Sequence, residues 1–324
     1  METDKPRIAV LMAVYRPRMD WLRAQLESLN AQTWPRLRLY VRDDGSPPET
    51  LEAVRALLQA CVTRFPWTLE QNEENLGSNR TFERLTAEAE GDCLAYCDQD
   101  DIWLPEKLSV LQEALAQSGA ELVCSDMFII DENGRQIADS ITKIRRRHIF
   151  HSGTGLTDTL WYSNFASGCA LLVRADTAKR ALPFNPYMYY DHYLTLFCAN
   201  AGRVVSLPQR LIRHREHGKN QSSVLQGVHD KASYRRIRID QKAEEVCWLS
   251  EHFACDGALG QTLREGAAWM RARQAYARGD WKSLPLIWKY RRFSRLASAL
   301  EIAAPLIPEP LFRLLLWAKR KNYV

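Results

Sequence analysis

Short apolar runs alternate with segments of helical spacing along the N-terminal part of the chain. Residues 7–14 read Arg-Ile-Ala-Val-Leu-Met-Ala-Val, which is typical of a central parallel strand buried on both faces. Leu22, Leu26 and Leu29 follow at the spacing of a helix with one apolar face. Further strands are predicted at residues 37–41, at residues 67–71 and from Leu94 onward, with helices at 20–32, 47–65 and 80–89. This alternation predicts a parallel sheet with helices on both faces.

The pattern changes in the second half of the chain. A helix is predicted from Pro105 to Ser118, then a strand at 121–130 and a hairpin turn at residues 131–134. The remaining predicted elements are a strand at 167–173, a helix at 187–200 that begins with aromatic residues, a strand at 203–207 and helices at 232–253 and 263–278. The chain is therefore predicted to consist of an α/β domain, residues 1–225, and a helical region, residues 226–324.

Composition excludes several classes of protein. The chain has 324 residues, of which 46% are hydrophobic and 26% charged, as in a folded globular protein. The net charge of +5 is mild, and no nucleic-acid partner is expected. Eight cysteines without zinc spacing favour free thiols in a reducing cytoplasm. The polar opening residues and the absence of a long apolar stretch predict neither a signal peptide nor a membrane span.

Three carboxylates follow the strand that begins at Leu94. They are Asp98, Asp100 and Asp101, in the run Asp-Gln-Asp-Asp-Ile-Trp. Acids crowded at one strand end repel each other, and a divalent cation such as Mg²⁺ or Mn²⁺ compensates them directly. Ligands of open α/β sheets also bind at the carboxyl ends of strands. The alternative is a polar loop in which Asp101 caps the next helix, which accounts for one acid and leaves two unexplained.

Further motifs lie at the other predicted strand ends and beyond. In chain order the motifs are Ala13-Val14-Tyr15, Asp43-Asp44-Gly45-Ser46, Asn75-Leu76-Gly77, Asp98-Gln99-Asp100-Asp101-Ile102-Trp103, Ser167-Gly168-Cys169, Asp191 and Arg215-Glu216-His217-Gly218-Lys219-Asn220. Together they resemble the family 2 glycosyltransferases with the GT-A fold, and within these the bacterial rhamnosyltransferase-like enzymes. Each motif alone is short, but their order along residues 7–222 is specific. One departure is Arg16, where the family often has Asn.

The resemblance implies a fold, a reaction and partners. The fold is the GT-A nucleotide-diphospho-sugar transferase fold, a mostly parallel sheet flanked by helices, followed here by a C-terminal helical extension. The reaction is inverting transfer of a sugar from a nucleotide diphosphate to a hydroxyl. The expected donor is dTDP-L-rhamnose, with a UDP-hexose as the second choice. The expected acceptor is a growing O-antigen or capsule oligosaccharide on a lipid carrier, at the cytoplasmic face of the cell membrane.

The resemblance also assigns roles to residues. It implies that Asp43 and Asp44 contact the pyrimidine base, and that Asp98 and Asp100 hold the ribose and the metal–diphosphate. Asp191 falls where the family places its catalytic base. The implied donor-binding residues are Ala13, Tyr15, Asp43, Asp44, Asn75, Gly77, Arg80, Asp98, Gln99, Arg215 and His217, and the implied ligands of Mg²⁺ or Mn²⁺ are Asp98, Asp100 and His217.

The chemistry explains why such residues are needed. A metal stabilises the charge that grows on the leaving diphosphate, and cations such as Arg80, Arg215 and Lys219 can assist it. A carboxylate must take the proton of the incoming hydroxyl, and Asp191 has aromatic neighbours that suit a sugar and raise its pKa by desolvation. Asp191 can equally cap a helix, and both roles are compatible. His217, like most single histidines, also has a purely structural interpretation.

Other functions fit the sequence less well. A sugar nucleotidyltransferase needs a glycine-rich loop after the first strand, and this chain has Tyr15-Arg16-Pro17-Arg18 there. A dinucleotide-dependent dehydrogenase needs the Gly-x-Gly-x-x-Gly loop, which is absent. A glycosidase would use paired carboxylates but would not need the Asp-Asp-Gly-Ser strand end. A non-catalytic nucleotide-sugar binding protein remains open.

Two basic segments lie outside these motifs. Residues 145–148, Arg-Arg-Arg-His, form either a mobile functional loop or a solvated surface run. From Trp281 onward, nine basic residues stand against two acidic ones, among many leucines and aromatic residues, and Pro305, Pro308 and Pro310 predict a break into two short helices. Such helices suit a membrane interface with anionic lipid. The alternative is a helical cap on the catalytic domain or on a second subunit.

Overall fold

The computed structural model of the protein describes residues 5–145, 148–218, 227–253 and 257–320. The chain divides into two compact units, Met1–Gly218 and Lys219–Val324. Several predicted features lie outside the described residues, namely the boundary at residues 225–226, the candidate cation Lys219, Asn220, Arg146 and Arg147 of the basic cluster, and Cys255.

The first unit alternates strands and helices, as its apolar pattern predicts. Its strands are β1 (Ile8–Val14), β2 (Leu37–Asp43), β3 (Trp67–Gln71), β4 (Cys93–Cys97), β5 (Ile102–Trp103), β6 (Leu122–Ile130), β7 (Gln136–Ala138), β8 (Leu171–Arg174) and β9 (Val204–Arg215). Its helices are α1 (Met19–Asn30), α2 (Pro48–Cys61), α3 (Ser78–Glu88), α4 (Lys107–Ser118), α5 (Ile141–Ile144), α6 (Thr157–Leu160), α7 (Ala175–Arg180) and α8 (Tyr190–Ala201).

The strands form one nine-stranded sheet in the order β3-β2-β1-β4-β8-β6-β9-β5, with β7 paired to β6. The β3, β2, β1 and β4 strands are all parallel, as predicted, because helices connect them. The β8 strand is inserted antiparallel between β4 and β6, and β9 runs parallel to β6. The carboxyl ends of β1, β2 and β4 therefore meet at one edge of the sheet, which is where the acidic motifs lie.

The core of this unit lies on both faces of the sheet. Ile8, Val10 and Met12 of β1 are fully buried, as the continuous apolar run predicts for a central strand. The helices add one apolar face each, such as Leu22, Leu26 and Leu29 on α1.

Two predicted strands differ from the structure. Residues 168–170 of the strand predicted at 167–173 form a 3-10 turn before β8. The strand predicted at 203–207 continues to Arg215, because its second half pairs with β6 beyond irregularities of register at Ser125–Phe128. This extension carries the basic residues after Gln209 to the edge of the acidic motif, where Ile102 pairs with Arg213.

The second unit is helical over its described residues. Its helices are α9 (Lys231–Tyr234), α10 (Gln241–His252), α11 (Gly257–Ala277), α12 (Leu284–Lys289), α13 (Arg295–Ala303) and α14 (Glu309–Arg320), with a π-helical turn at Arg235–Asp240 and 3-10 turns at Trp281–Ser283 and Ala304–Leu306. As predicted, the prolines divide the tail into short helices. No helix among the described residues has both the length and the apolar composition to cross a bilayer.

Candidate active site

The ends of three parallel strands are joined by side-chain hydrogen bonds. Gln99, just after β4, accepts a hydrogen bond from the Tyr15 amide at 2.9 Å and donates one to the Tyr15 carbonyl at 3.3 Å. The amide of Arg16 donates to the Ser46 hydroxyl at 3.0 Å. Arg16 has a left-handed φ of 41°, which is uncommon for a residue with a side chain. These bonds hold the strand ends in one fixed rim.

The two carboxylates after β2 have different environments. Asp44 accepts hydrogen bonds from the Asn72 amide group at 2.8 Å, the Leu76 amide at 2.8 Å and the Gly77 amide at 2.9 Å. It therefore shapes the turn before α3. Asp43 uses only Oδ1, toward the Ser46 amide and Gln71, whereas its Oδ2 is buried without a hydrogen-bond partner among the described residues. Such an oxygen is a ready acceptor for a ligand N–H.

Gly45 lies between these acids and the same turn. A Cβ there would lie 2.7 Å from the Glu74 carbonyl carbon, and its φ of +79° favours glycine. The Asp-Asp-Gly-Ser motif therefore places the end of β2 in close contact with the segment that leads into α3.

The acids after β4 are crowded and mostly buried. Burial, together with the charges of Asp101 and Asp100, raises the pKa of Asp98 well above its usual range. Asp100 lies 2.9 Å from His217, between Oδ2 and Nε2. The fully buried Asp101 lies 2.9 Å from His214 Nδ1 and accepts the Arg215 amide at 3.0 Å.

Asp101 and His214 form a buried ion pair. Burial disfavours charge on both groups, but their attraction lowers the pKa of Asp101 and raises the pKa of His214. Asp101 therefore does not cap the following helix, which begins at Lys107. Sequence reasoning assigns no role to His214, because it is adjacent to Arg215 in the chain and is expected to point away from the site.

Arg215 and Trp21 pack against this acidic segment and against the turn at Asp131 and Glu132. Arg215 is 3% exposed and donates to the carbonyls of Asp100 at 2.9 Å, Asp131 at 3.0 Å and Glu132 at 3.2 Å. Trp21 of α1 donates from Nε1 to the Glu132 carbonyl at 3.2 Å, and its ring lies 5.0 Å from the His217 ring. The Arg215 guanidinium lies over the Trp21 ring at 4.9 Å. Sequence reasoning missed Trp21, which reads as an ordinary apolar helix residue.

The donor set at this edge fits a hard divalent cation. Asp98 and Asp100 would supply carboxylate oxygens and His217, 2.9 Å from Asp100, would supply an imidazole nitrogen, which are ligand types that Mn²⁺ or Mg²⁺ accepts. Burial and the neighbouring carboxylates raise the pKa of Asp98, and a bound cation would oppose that rise. Among the described residues, it is Asp101, Cys169 and His214 that bring their three ligand atoms within 4.8 Å of one another.

Asp191 lies at the start of α8 and is held by backbone amides. Its Oδ2 accepts the Gly168 amide at 3.0 Å, and its Oδ1 accepts the His192 amide at 2.6 Å. Burial raises its pKa to about 6, although these two hydrogen bonds oppose the rise. Its charge in turn raises the pKa of Asp98, so the two carboxylates share one electrostatic environment. Asp191 therefore lies in the first turn of α8 and does not cap it, because the N-cap is Tyr189 and has no side-chain cap, and the raised pKa of Asp191 is compatible with a base.

The position of Asp191 depends on close packing around Tyr190. A Cβ on Gly168 would lie 1.9 Å from the Tyr190 hydroxyl, so only glycine fits there. Asn79 at the start of α3 accepts the Tyr190 amide at 2.9 Å and donates to the Met188 carbonyl at 2.6 Å. The turn that Asp44 shapes is therefore tied directly to the helix that carries Asp191.

Comparison with known proteins decides the family. The profile described as "Glycosyl transferase family 2" matches residues 9–180. The chain belongs to glycosyl transferase family 2. It is 21% identical over 262 residues to a dTDP-rhamnosyl transferase of Shigella flexneri, covering 76% of this chain and 86% of that protein. The chain spans about half to two thirds of the length of other curated relatives that it matches.

Solved structures of glycosyltransferases share the fold. One is residues 1–349 of TarS from S. aureus with UDP-GlcNAc, at a TM-score of 0.63 and 16% identity, covering 98% of this chain and 92% of that chain. Another is a mannosyltransferase of Pyrobaculum calidifontis with GDP-Man and Mn²⁺, at a TM-score of 0.57 and 17% identity, covering 94% and 87%. These neighbours support the GT-A fold expected from the motifs.

The remaining predicted residues of this family 2 protein have varied positions. Arg80 is exposed on α3 and pairs with Glu83 at 2.8 Å. Ala13 pairs with Arg42 in the sheet, and Asn75 is exposed in the turn before α3. Lys107, which sequence reasoning missed, is fully buried and donates from Nζ to the Cys169 carbonyl at 2.6 Å. Burial lowers the pKa of Lys107 to about 7.

Proposed function

We propose that the chain is an inverting glycosyltransferase in which Asp191 removes the proton of the acceptor hydroxyl. The observation that carries this proposal is the carboxylate of Asp191 at the start of α8, which is held by the Gly168 amide at 3.0 Å and whose pKa burial raises to about 6. Such a base is largely deprotonated at neutral pH and still accepts a proton as the hydroxyl attacks the sugar.

The metal proposal rests on the donor set. Asp98, Asp100 and His217 would hold Mg²⁺ or Mn²⁺, and the bound ion would stabilise negative charge on the departing diphosphate. The chain's own residues keep this set in place. Arg215 holds the Asp100 carbonyl, Trp21 packs on His217, and the Asp101–His214 pair fixes the strand behind them.

The donor is proposed to be dTDP-L-rhamnose. The named activity of the Shigella relative supports it, and the unpartnered Oδ2 of Asp43 suits the N–H of a thymine or uracil base. A UDP-hexose is the second candidate, since TarS was solved with UDP-GlcNAc. Asp44, whose oxygens are occupied by the turn, is proposed to act by holding that turn.

The acceptor is proposed to be a lipid-linked or cell-surface oligosaccharide at the inner face of the cell membrane. Two exposed aromatic residues near Asp191, Tyr187 and Tyr189, suit stacking on a sugar ring. In the tail, Leu306, Leu311, Leu314 and Trp317 are exposed among basic residues, and this supports peripheral contact with anionic lipid.

A panel of nucleotide sugars tests the proposal. Purified protein with Mn²⁺ should release dTDP from dTDP-L-rhamnose faster than it releases UDP or GDP from hexose donors, and release should stop in excess EDTA. Preferred release of UDP would change the proposed donor to a UDP-hexose but leave the proposed reaction unchanged. Tight donor binding without release, even with lipid-linked oligosaccharide added, would favour the non-catalytic binding protein.

A further inference from the structure

The helical unit contains a cavity of about 310 Å³ between its own helices. Packed cores rarely leave a void much larger than a water molecule, whereas small-molecule sites begin at about 300 Å³. Ile239, Ala277, Ile287, Ala304 and Phe312 line it with apolar side chains. The cavity is thus large enough for one apolar chain.

The polar part of the wall carries a net positive charge. Lys231, Arg235 and Arg273 line it, against a single carboxylate, Glu301. Arg273 and Glu301 are buried and satisfy each other, with Arg273 Nε 2.6 Å from Glu301 Oε2. Lys231 and Arg235 are half-buried, and Arg235 Nε also pairs with Asp240 Oδ2 at 3.4 Å.

The wall also reaches the exposed apolar surface of the tail. Ala304 and Pro305 line the cavity, and the next residue, Leu306, is 79% exposed. Phe312 lines it from α14, beside the exposed Leu311. An apolar interior, a cationic rim and adjoining exposed leucines together match an amphipathic anion.

We propose that this cavity binds the hydrocarbon end of a lipid phosphate, an alkyl or isoprenyl chain whose phosphate lies near Lys231 and Arg235. The identity of the lipid as an acceptor carrier rests on the proposed function above. The cavity would then hold a lipid-linked acceptor by its tail, which adds affinity without a contact to the transferred sugar.

The test is a fluorescence titration of the full chain with dansyl-undecanoic acid, an anionic probe with one apolar chain. Saturable binding is expected, with displacement by decyl phosphate at lower concentration than by decanol, and no displacement by inorganic phosphate. Absence of saturable binding overturns the proposal, as does equal displacement by decyl phosphate and decanol.

Variants locate the site. Ala304→Trp fills the cavity and should weaken probe binding at least about tenfold, whereas Ala299→Trp, exposed on the preceding helix α13, should not. Lys231→Glu should weaken the binding of decyl phosphate but leave the binding of decanol unchanged. Because Lys231 is half-buried, this variant keeps the test valid if Ala304→Trp does not fold. Unchanged probe binding in Lys231→Glu and in folded Ala304→Trp overturns the assignment. Nucleotide binding measured in the same samples separates the outcomes, because lost probe binding with intact nucleotide binding leaves the glycosyltransferase proposal standing.

Discussion

At the scale of residues, adjacent side chains of one motif have separate tasks. Asp43 and Asp44 are both buried, yet both oxygens of Asp44 accept hydrogen bonds from a turn, whereas Oδ2 of Asp43 has no hydrogen-bond partner among the described residues. Asp100 and Asp101 also have different contacts. Asp100 meets His217 at the site, and Asp101 forms an ion pair with His214 behind it. A short acidic motif therefore contains both ligand-facing and supporting carboxylates.

The base assignment predicts a specific kinetic loss. Asp191→Asn removes the proton acceptor and keeps the shape, so kcat should fall by roughly 10²–10⁴-fold while donor affinity stays near that of the wild type. In the wild type kcat should rise with pH through about 6, because the pKa of Asp191 is raised to that value and only the deprotonated form is a base. Stopped assays of dTDP release across pH check both points, and a variant with wild-type turnover would place the base elsewhere.

The metal assignment predicts loss of metal-dependent binding. Asp100→Ala should weaken Mn²⁺-dependent donor binding at least about tenfold, because one carboxylate ligand is removed. The fold should persist since Asp100 lies beyond the strand, outside the core. Calorimetric titration with nucleotide, with and without EDTA, measures this, and Asp158→Ala, an exposed carboxylate elsewhere, is the control. Full activity of the wild type in EDTA contradicts the assignment.

Trp21 is predicted to position His217. Trp21→Leu removes the ring on which His217 packs and should weaken Mn²⁺ about 10–100-fold, as is common for residues that orient a ligand. Trp21→Phe keeps a ring and loses only the bond to Glu132, so it should recover most of the affinity. Mn²⁺ titration by electron paramagnetic resonance reports this directly, with melting curves as the control for folding. Equal affinity in both variants would limit Trp21 to packing.

At the scale of elements, the site depends on contacts that join separate segments. The β8 strand enters between β4 and β6, and so places Gly168 beside the start of α8. The second half of β9 brings Arg215 and His214 into hydrogen-bond contact with Asp101, one of the acids that follow β4. Asn79 ties the beginning of α3 to the beginning of α8. Each link joins segments that are distant in the sequence.

The Asn79 link predicts an effect on turnover. Asn79→Ala releases the Tyr190 amide and the Met188 carbonyl, at a cost of about 1 kcal/mol for each hydrogen bond. Because Asp191 follows Tyr190, kcat should fall about tenfold with little change in donor KM. Steady-state kinetics check the split, and Asn133→Ala, exposed in the β6–β7 turn, serves as the matched control. A change confined to KM would instead tie Asn79 to the donor.

At the scale of the whole molecule, polar chemistry and exposed apolar surface lie in different units. The acidic cluster and Asp191 belong to the first unit, whereas most of the large exposed apolar side chains among the described residues belong to the tail, including Trp281, Trp288, Leu296 and Leu306. Apolar surface rimmed by basic residues is a common feature of proteins that bind membranes or partners.

The tail is predicted to bind anionic liposomes. Leu306→Asp combined with Leu314→Asp should reduce co-sedimentation with phosphatidylglycerol liposomes at low salt, since both side chains are exposed and charge opposes insertion. Ile149→Asp, at an equally exposed apolar residue of the first unit, should not. Donor hydrolysis should be unchanged in both. A wild-type protein that ignores these liposomes would favour a helical cap or a subunit contact.

The sequence by itself determined the strand and helix order, the two strand ends that carry acids, and the family, because these depend on local periodicity and on motifs whose order is visible in the chain. The parallel strands β1 to β4 and the helical tail were confirmed as predicted. The site residues outside those motifs could not be predicted from the sequence. Trp21, Lys107 and His214 look like ordinary helix or strand residues until folding buries them beside the acids.

Only the tertiary structure decided which polar groups remain available for a ligand. Arg215, which its motif predicts to bind the nucleotide sugar, donates hydrogen bonds to three backbone carbonyls. Asp43, in contrast, has a buried oxygen without a hydrogen-bond partner among the described residues. The tertiary structure also decided that β8 runs antiparallel and that β9 extends to Arg215. The physical reason is that hydrogen-bond partners and desolvation arise from residues distant in sequence, whereas periodicity records only neighbours along the chain.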